Sequence, residues 1–218
     1  MPEVYLDEKK PTDNELKNRI DKTTRDTISL MVKFDKFKDF KKNVNLSQIK
    51  SKLKIIRKTS FNEISISDLF ITPIKTGEYH VSGILDNGKI PLVSCVSDNG
   101  GFEGFFDIPR KNILKNAITI ASDGMPLTSF YHYYPFTAKD NVLICKPNKK
   151  YRFTTLLFIT TQLNALRWCF SYGRKCYENK IHKIKVFLPS KDNEIDEDYI
   201  ERLFKSLKSW KILKKIIS

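Results

Sequence analysis

Four cysteines (Cys95, Cys145, Cys169, Cys176) and three histidines (His80, His132, His182) are the side chains best suited to hold a metal or supply a nucleophile. Neither set falls at the short intervals that gather ligands around one zinc ion. Without framework spacing, the cysteines read as small apolar residues of a reduced, cytoplasmic protein. His132 lies inside Phe130-Tyr131-His132-Tyr133-Tyr134, an aromatic run that suits a strand better than a catalytic centre. The chain has no glycine-rich phosphate loop and no G-x-S-x-G elbow. Glu178-Asn179-Lys180 has the E-x-K form of a metal-dependent nuclease, which needs an upstream Asp to share the cation. The nearest upstream acid is Asp140, and residues 141–177 contain no Asp or Glu at all. The expectation is a non-catalytic chain with no metal and no cofactor.

Binding chemistry is left, and charge points to its kind. Thirty-nine Lys and Arg oppose 25 Asp and Glu, a net +14 over 218 residues. A polyanion is the first partner to consider, and nucleic acid the commonest one. An AT-rich gene, which inflates Lys, Ile and Asn, would give the same composition. The acid-free stretch holds two basic clusters on its polar parts, Lys146–Arg152 (with Lys149 and Lys150) and Ser171-Tyr172-Gly173-Arg174-Lys175. Hydroxyls, a guanidinium and an ammonium around a flexible glycine can clamp phosphates or reach base edges. A solvated basic turn is the plain alternative.

These clusters need elements to position them. The length suits one domain with an appendage, and 40% hydrophobic residues suffice for a core. No apolar run is long enough to span a membrane, and the first residues have no apolar signal segment. Residues 1–60 carry a net +7, residues 61–150 are neutral and residues 151–218 carry +7 again, as expected of a body between charged arms. Thr12-Asp13-Asn14-Glu15 fits a capping box, and Leu16, Ile20, Thr24, Ile28, Met31 and Phe34 follow at helical spacing, predicting a helix over about 13–36. The basic run Lys33–Lys58 reads as a linker or a phosphate-binding arm. Asp86-Asn87-Gly88 between Tyr79–Leu85 and Ile90–Val96 predicts a tight hairpin. Turn residues at 98–101, 123–124 and 147–148 separate short strands at Gly104–Ile108, Ala117–Ala121, Leu127–Tyr134 and Val142–Cys145, the pattern of a compact barrel or sandwich. Arg152–Leu166, without Gly or Pro and apolar nearly all round, predicts a helix against the sheet. Strands are expected at Arg167–Phe170 and at Ile184–Leu188, the latter ended by Pro189. A continuous amphipathic helix is expected over Glu197–Ile217, with Ile200, Leu203, Leu207, Trp210 and Lys214 on one stripe.

Several segments in order carry a family likeness. They are Phe61-Asn62-Glu63-Ile64-Ser65-Ile66, Lys89-Ile90-Pro91-Leu92-Val93-Ser94, Asp98 through Phe105, Ile118 through Gly124, and Phe136 through Leu143. Phe170-Ser171-Tyr172-Gly173-Arg174-Lys175 and Lys183 through Pro189 follow. Together they resemble the target-recognition domain of type I restriction–modification specificity subunits, also found in type II restriction–methylation enzymes. The likeness covers about 60–218 and, loosely, 1–35. It agrees with the fold expected from the elements above, α+β, a β-rich barrel-like recognition domain with a packed helix, bracketed by N- and C-terminal amphipathic helices. It implies a helical basic segment over 1–58, the DNA target-recognition domain over 59–193, and a stalk or docking helix over 194–218. The implied function is sequence-specific recognition of double-stranded DNA on behalf of a DNA adenine methyltransferase subunit, with a restriction subunit or a second copy as further partners. No Asn-Pro-Pro-Tyr methyltransferase run is present. On this reading Lys89, Asn99, Ser122, Lys139 and Asn141, at strand ends, read bases. Lys149, Lys150, Tyr172, Arg174 and Lys175 hold the backbone. The alternatives are a piece of a fused restriction–methylation enzyme and a basic scaffold without DNA specificity.

Overall fold

β-Branched and aromatic residues dominate the central third of the chain, and they form short strands around one apolar core. The computed structural model describes residues 13–31, 60–171, 173–207 and 209–217. Strand β1 (Ser60–Ser65) pairs antiparallel with β9 (Lys185–Lys191), from Ser60 opposite Ser190 to Ser65 opposite Lys185, and β10 (Glu194–Ile195) completes this sheet. A second, antiparallel sheet runs in the order β2 (Lys75–Thr76), β8 (Val142–Cys145), β5 (Ala117–Ala121), β6 (Ser129–His132). The third sets β3 (Asn87–Val93) between antiparallel β4 (Phe102–Phe106) and parallel β7 (Thr137–Ala138). The fold is α+β, and among the described residues no sheet closes on itself into a barrel.

The Asn-Gly signal is put to another use than a turn. Tyr79–Leu85 is not a strand, and Asn87 and Gly88 begin β3. A Cβ on Gly88 would lie 2.2 Å from the Asp107 nitrogen and 2.3 Å from the Phe106 carbonyl carbon, so this glycine permits close backbone approach. The turn of the hairpin is Asn99-Gly100-Gly101, whose φ angles of 50°, 69° and 77° join β3 to β4.

Helix α3 (Phe153–Ala165) is the pillar of the core, with every residue from Thr154 to Leu163 buried. The hydroxyls of Thr160 and Thr161 donate back to the Leu156 and Leu157 carbonyls, and the Thr161 hydroxyl also lies 2.8 Å from the Thr23 hydroxyl. Two of the expected elements differ. Arg167–Cys169 is a 3-10 turn continuing from α3, not a strand. Pro189 lies within β9 opposite Phe61, because a proline that cannot donate still accepts, here from the Asp196 N–H at 2.8 Å.

The C-terminal helix is two helices, α5 (Glu197–Lys205) and α6 (Trp210–Ile217), separated by a turn at Ser206 and Leu207. Asp196 caps α5 by accepting from the Tyr199 N–H at 2.8 Å. The break shifts the helical phase, so Leu213 rather than Lys214 is buried after Leu207. Tyr199, Ile200, Leu203, Phe204, Leu207 and Leu213 all join the same core as the sheets. Helix α1 (Asp13–Met31) lies against α3 and α6, burying Leu16, Ile20 and Thr24. The Thr12 cap, the helix beyond Met31 and the basic run Lys33–Lys58 lie outside the described residues. Short helices α2 (Ile66–Leu69) and α4 (Glu178–Ile181) close the description, and no described helix is long and apolar enough to cross a membrane.

The two roles of glycine can be separated by substitution. Gly88→Ala should destabilise the protein by about 1–3 kcal/mol, the usual cost of overpacking. Gly83→Ala, where nothing lies within 4 Å of an added Cβ, should leave stability unchanged. Urea denaturation of the two variants measures the difference.

Candidate nucleic-acid interface

Three strand ends and one strand start converge on the backbone of Asn141. Its carbonyl accepts from the Ser122 N–H (3.1 Å), the Ser122 hydroxyl (2.7 Å) and the Cys95 thiol (3.0 Å). The Lys139 N–H donates to the Val93 carbonyl, and the Cys176 N–H to the Ser122 carbonyl. Residues 95, 122, 139, 141 and 176 are thereby held at one end of the body. Ser122 is buried, with its hydroxyl spent on Asn141, and the Asn141 side-chain oxygen is buried without a hydrogen bond. Of these two expected base readers, Ser122 has its hydroxyl turned into the protein and Asn141 has its side-chain oxygen turned there.

Around this node sit charges. Lys175 donates to Asp123 at 2.6 Å, and this bond, with one from the Gly124 N–H, holds the Asp123 carboxyl below its ordinary range. Lys139 reaches Glu103 at 2.8 Å, and the Ser82 hydroxyl hydrogen-bonds the same carboxylate. Burial pushes the Glu103 carboxyl up, but the bonds from Lys139 and Ser82 outweigh it and the group ends below its usual range. His80 and Asp140 pair at the surface, 2.6 Å apart. Arg174 is exposed on a turn closed by its own N–H to the Ser171 carbonyl at 2.8 Å, and has no ion-pair partner among the described residues. Tyr172, within that turn, lies outside the described residues.

The nine described residues of the ten expected site residues do not form one patch. Asn164, near the end of α3, exchanges hydrogen bonds with the Ser129 backbone at 3.0 and 2.8 Å, which sets the 167–175 segment at the Ser122 end. Lys149 and Lys150 follow β8 and precede α3, and so sit at the opposite end of a helix roughly 20 Å long. Lys149 pairs with Glu194 at 3.0 Å, and Lys150 is exposed. Lys89 is exposed near the start of β3, away from the node, whereas exposed Asn99 sits on the β3–β4 turn, which lies against α1.

The stretch without acids in sequence therefore meets acids in space. Lys149 faces Glu194, Lys175 faces Asp123, and Arg152 meets Glu197, Asp198 and Glu201, two of them at 2.6 and 2.7 Å. Those carboxylates come from other segments, so no count along the stretch reveals them. Sequence reasoning also missed an open groove of about 420 Å³ beside the Arg174 turn, whose lining includes Gly124, Met125, Pro126, Arg167, Trp168 and Ser171. Its signal was Trp168 next to Arg167, obscured because that segment read as a strand.

Two buried titratable groups, His132 and Cys176, carry no such charge. His132 is fully buried, with ring nitrogens 2.7 Å from the Thr119 and Tyr134 hydroxyls, and burial lowers its pKa to about 3, so it is neutral. Burial pushes the Cys176 thiol up to about 12. Among the described residues, no three His, Cys, Asp or Glu side chains gather as metal ligands. Glu178 of the E-x-K run is exposed on α4.

At the node the exposed Arg174 stands beside Lys175 and Lys139, which are held by Asp123 and Glu103. Residues 58–218, about three quarters of the chain, match the model of the type I restriction modification DNA specificity domain, and the chain belongs to that family. Members are the non-catalytic DNA-target recognition parts of restriction–modification systems. A curated relative, the specificity subunit S.BcgI of a type II restriction enzyme from Heyndrickxia coagulans, is 27% identical over 145 residues. That alignment takes in 64% of this chain and 41% of the relative. The type I restriction–modification S subunit from M. genitalium shares the fold, with a TM-score of 0.50 at 19% identity over 94% of this chain and 53% of that one. The HsdS subunit from Thermoanaerobacter tengcongensis aligns with a TM-score of 0.46 at 8% identity, over 94% of this chain and 46% of that one. The chain thus spans about half or less of the length of these relatives.

Neutral His132 makes stability depend on pH. Its folded pKa lies below its unfolded value, so below about pH 6.5 only the unfolded chain takes up the proton. This contribution is whole above pH 6.5 and is lost progressively as the pH falls toward 3. Unfolding free energies between pH 6.5 and 4 should fall up to ~1.4 kcal/mol per pH unit more steeply for the native protein than for His132→Gln.

Proposed function

We propose that this chain reads a base sequence in double-stranded DNA and brings an adenine methyltransferase, and with it a restriction activity, to that site. Family membership supports DNA-target recognition, and the observation that carries the reading further is the Arg174 turn. There an exposed guanidinium, without an ion-pair partner among the described residues, stands on a closed turn at the strand-end node. A cation already held by a carboxylate gains little from a phosphate, because the first pair must break. Arg174 and Lys150 are ready contacts, and Lys175 is one only when Asp123 releases it. Asn99 and Lys139 border the node on turns and strand ends, where loops reach into a groove, and Lys89 extends the surface along β3. Residues 59–193 form the reading domain in this proposal. The basic segment 1–58 and the C-terminal residues 194–218 dock on the methyltransferase or on a second copy. Work on host DNA places the assembly in the cytoplasm.

Charge variants test the reading. Arg174→Ala should weaken binding to all duplexes alike and reduce the slope of log K against log salt by about one. Asp123→Asn should free Lys175, tighten binding at low salt and increase that slope by a similar amount. Titrations at two salt concentrations measure both, and binding that ignores salt in every variant overturns the proposal. Mapping methylated adenines in the host genome with and without the gene checks the targeting role.

A further inference from the structure

The groove beside the Arg174 turn has no part in the phosphate contacts above. Trp168, 68% exposed, and Met125, 50% exposed, both line it, while most large apolar side chains among the described residues are buried. The Arg167 guanidinium lies 3.3 Å from the Met125 sulfur. Among the described residues the lining carries one cation and no carboxylate, and the adjoining acid, Asp123, is paired with Lys175. The groove is also continuous with the proposed DNA surface. Ser171 lines it and closes the Arg174 turn, and Gly124 lines it and donates to Asp123.

Its walls are held in place. The Cys169 and Phe170 N–H groups bond back to Leu166 and Arg167 at 3.0 Å, and Asn164 ties the end of α3 to β6. An indole on a fixed turn, an adaptable thioether and a guanidinium make a face for one flat ring attached to an anionic chain. At about 420 Å³ the space lies within the range of small-ligand sites.

We propose that this groove takes an unstacked base of bound DNA, with Trp168 as the stacking platform and Arg167 on the adjoining phosphate. Charge complementarity and continuity with the Arg174 turn favour DNA over an apolar protein segment as the occupant. The inference rests on the DNA-reading proposal and adds a way of sensing how easily a step unstacks, which base-edge contacts do not read.

The chain has two tryptophans, so Trp210→Phe leaves Trp168 as sole reporter in the full-length protein. The probes are a short fully paired duplex and the same duplex with one extrahelical thymine, both at low salt. The bulged duplex should bind about tenfold tighter, within the range of base–aromatic stacking, and quench Trp168 emission more strongly. Trp168→Ala should abolish that preference while retaining affinity for the paired duplex, and Trp168→Phe should keep part of it. If both duplexes bind but Trp168 emission stays unchanged and Trp168→Ala keeps the full preference, the groove is off the DNA path and the inference fails alone. If the folded protein binds neither duplex, the DNA-reading proposal fails and takes the inference with it.

Discussion

Helix α3 must be buried on almost every side, and the rest of the molecule is arranged around that requirement. Its apolar residues provide core for β6, β9, α1 and α5 together. Thr160 turns its hydroxyl onto its own helix, and Thr161 shares its hydroxyl between the Leu157 carbonyl and Thr23 of α1, so both can be buried without strands to meet them. At one end Arg152 gathers three carboxylates of α5, and at the other Asn164 holds the Ser129 backbone. The helix thus fixes where its two flanking basic clusters lie, and it places them at opposite ends of the body.

That separation gives the clusters different work. Lys149 ties β10 and Arg152 ties α5 to the body through exposed ion pairs, each worth little alone, three of them converging on the Arg152 guanidinium. The cluster after α3 stands beside the Asn141 node, where the Asn141 carbonyl gathers the Ser122 N–H, the Ser122 hydroxyl and the Cys95 thiol, and the Lys139 N–H is tied to the Val93 carbonyl. A reading surface needs such a base, since a loop that moves cannot hold a contact in register. Lys175 shows the balance involved: Asp123 orders it at the cost of occupying its charge.

Family membership and geometry converge on recognition from different sides. The family model spans 58–218 and says what kind of domain this is. The geometry says which cations are exposed and which are held, a distinction no family match contains. A purely compositional account of the +14 charge explains neither the ordered family segments nor the closed Arg174 turn.

Local chemistry was enough for much of the fold. Strands at Ala117–Ala121 and Val142–Cys145 and the buried helix after Arg152 follow from β-branched runs and an unbroken apolar surface, which act over a few residues. The turn at Asp123-Gly124 follows from glycine, whose φ there is 63°. The Ser171–Lys175 turn and the family likeness were also legible, because both lie in contiguous segments. What needed the tertiary structure was everything set by distant partners. Asn87-Gly88 became a strand start because β4 approaches its backbone, and the helix after Glu197 broke because its two halves meet different parts of the core. Ser122 and Asn141 turned inward because strand ends far apart in sequence meet there, and the acid-free stretch acquired Asp123, Glu194 and Glu197 as neighbours. Sequence fixes which charges exist; only the fold decides which of them face one another and which face the solvent.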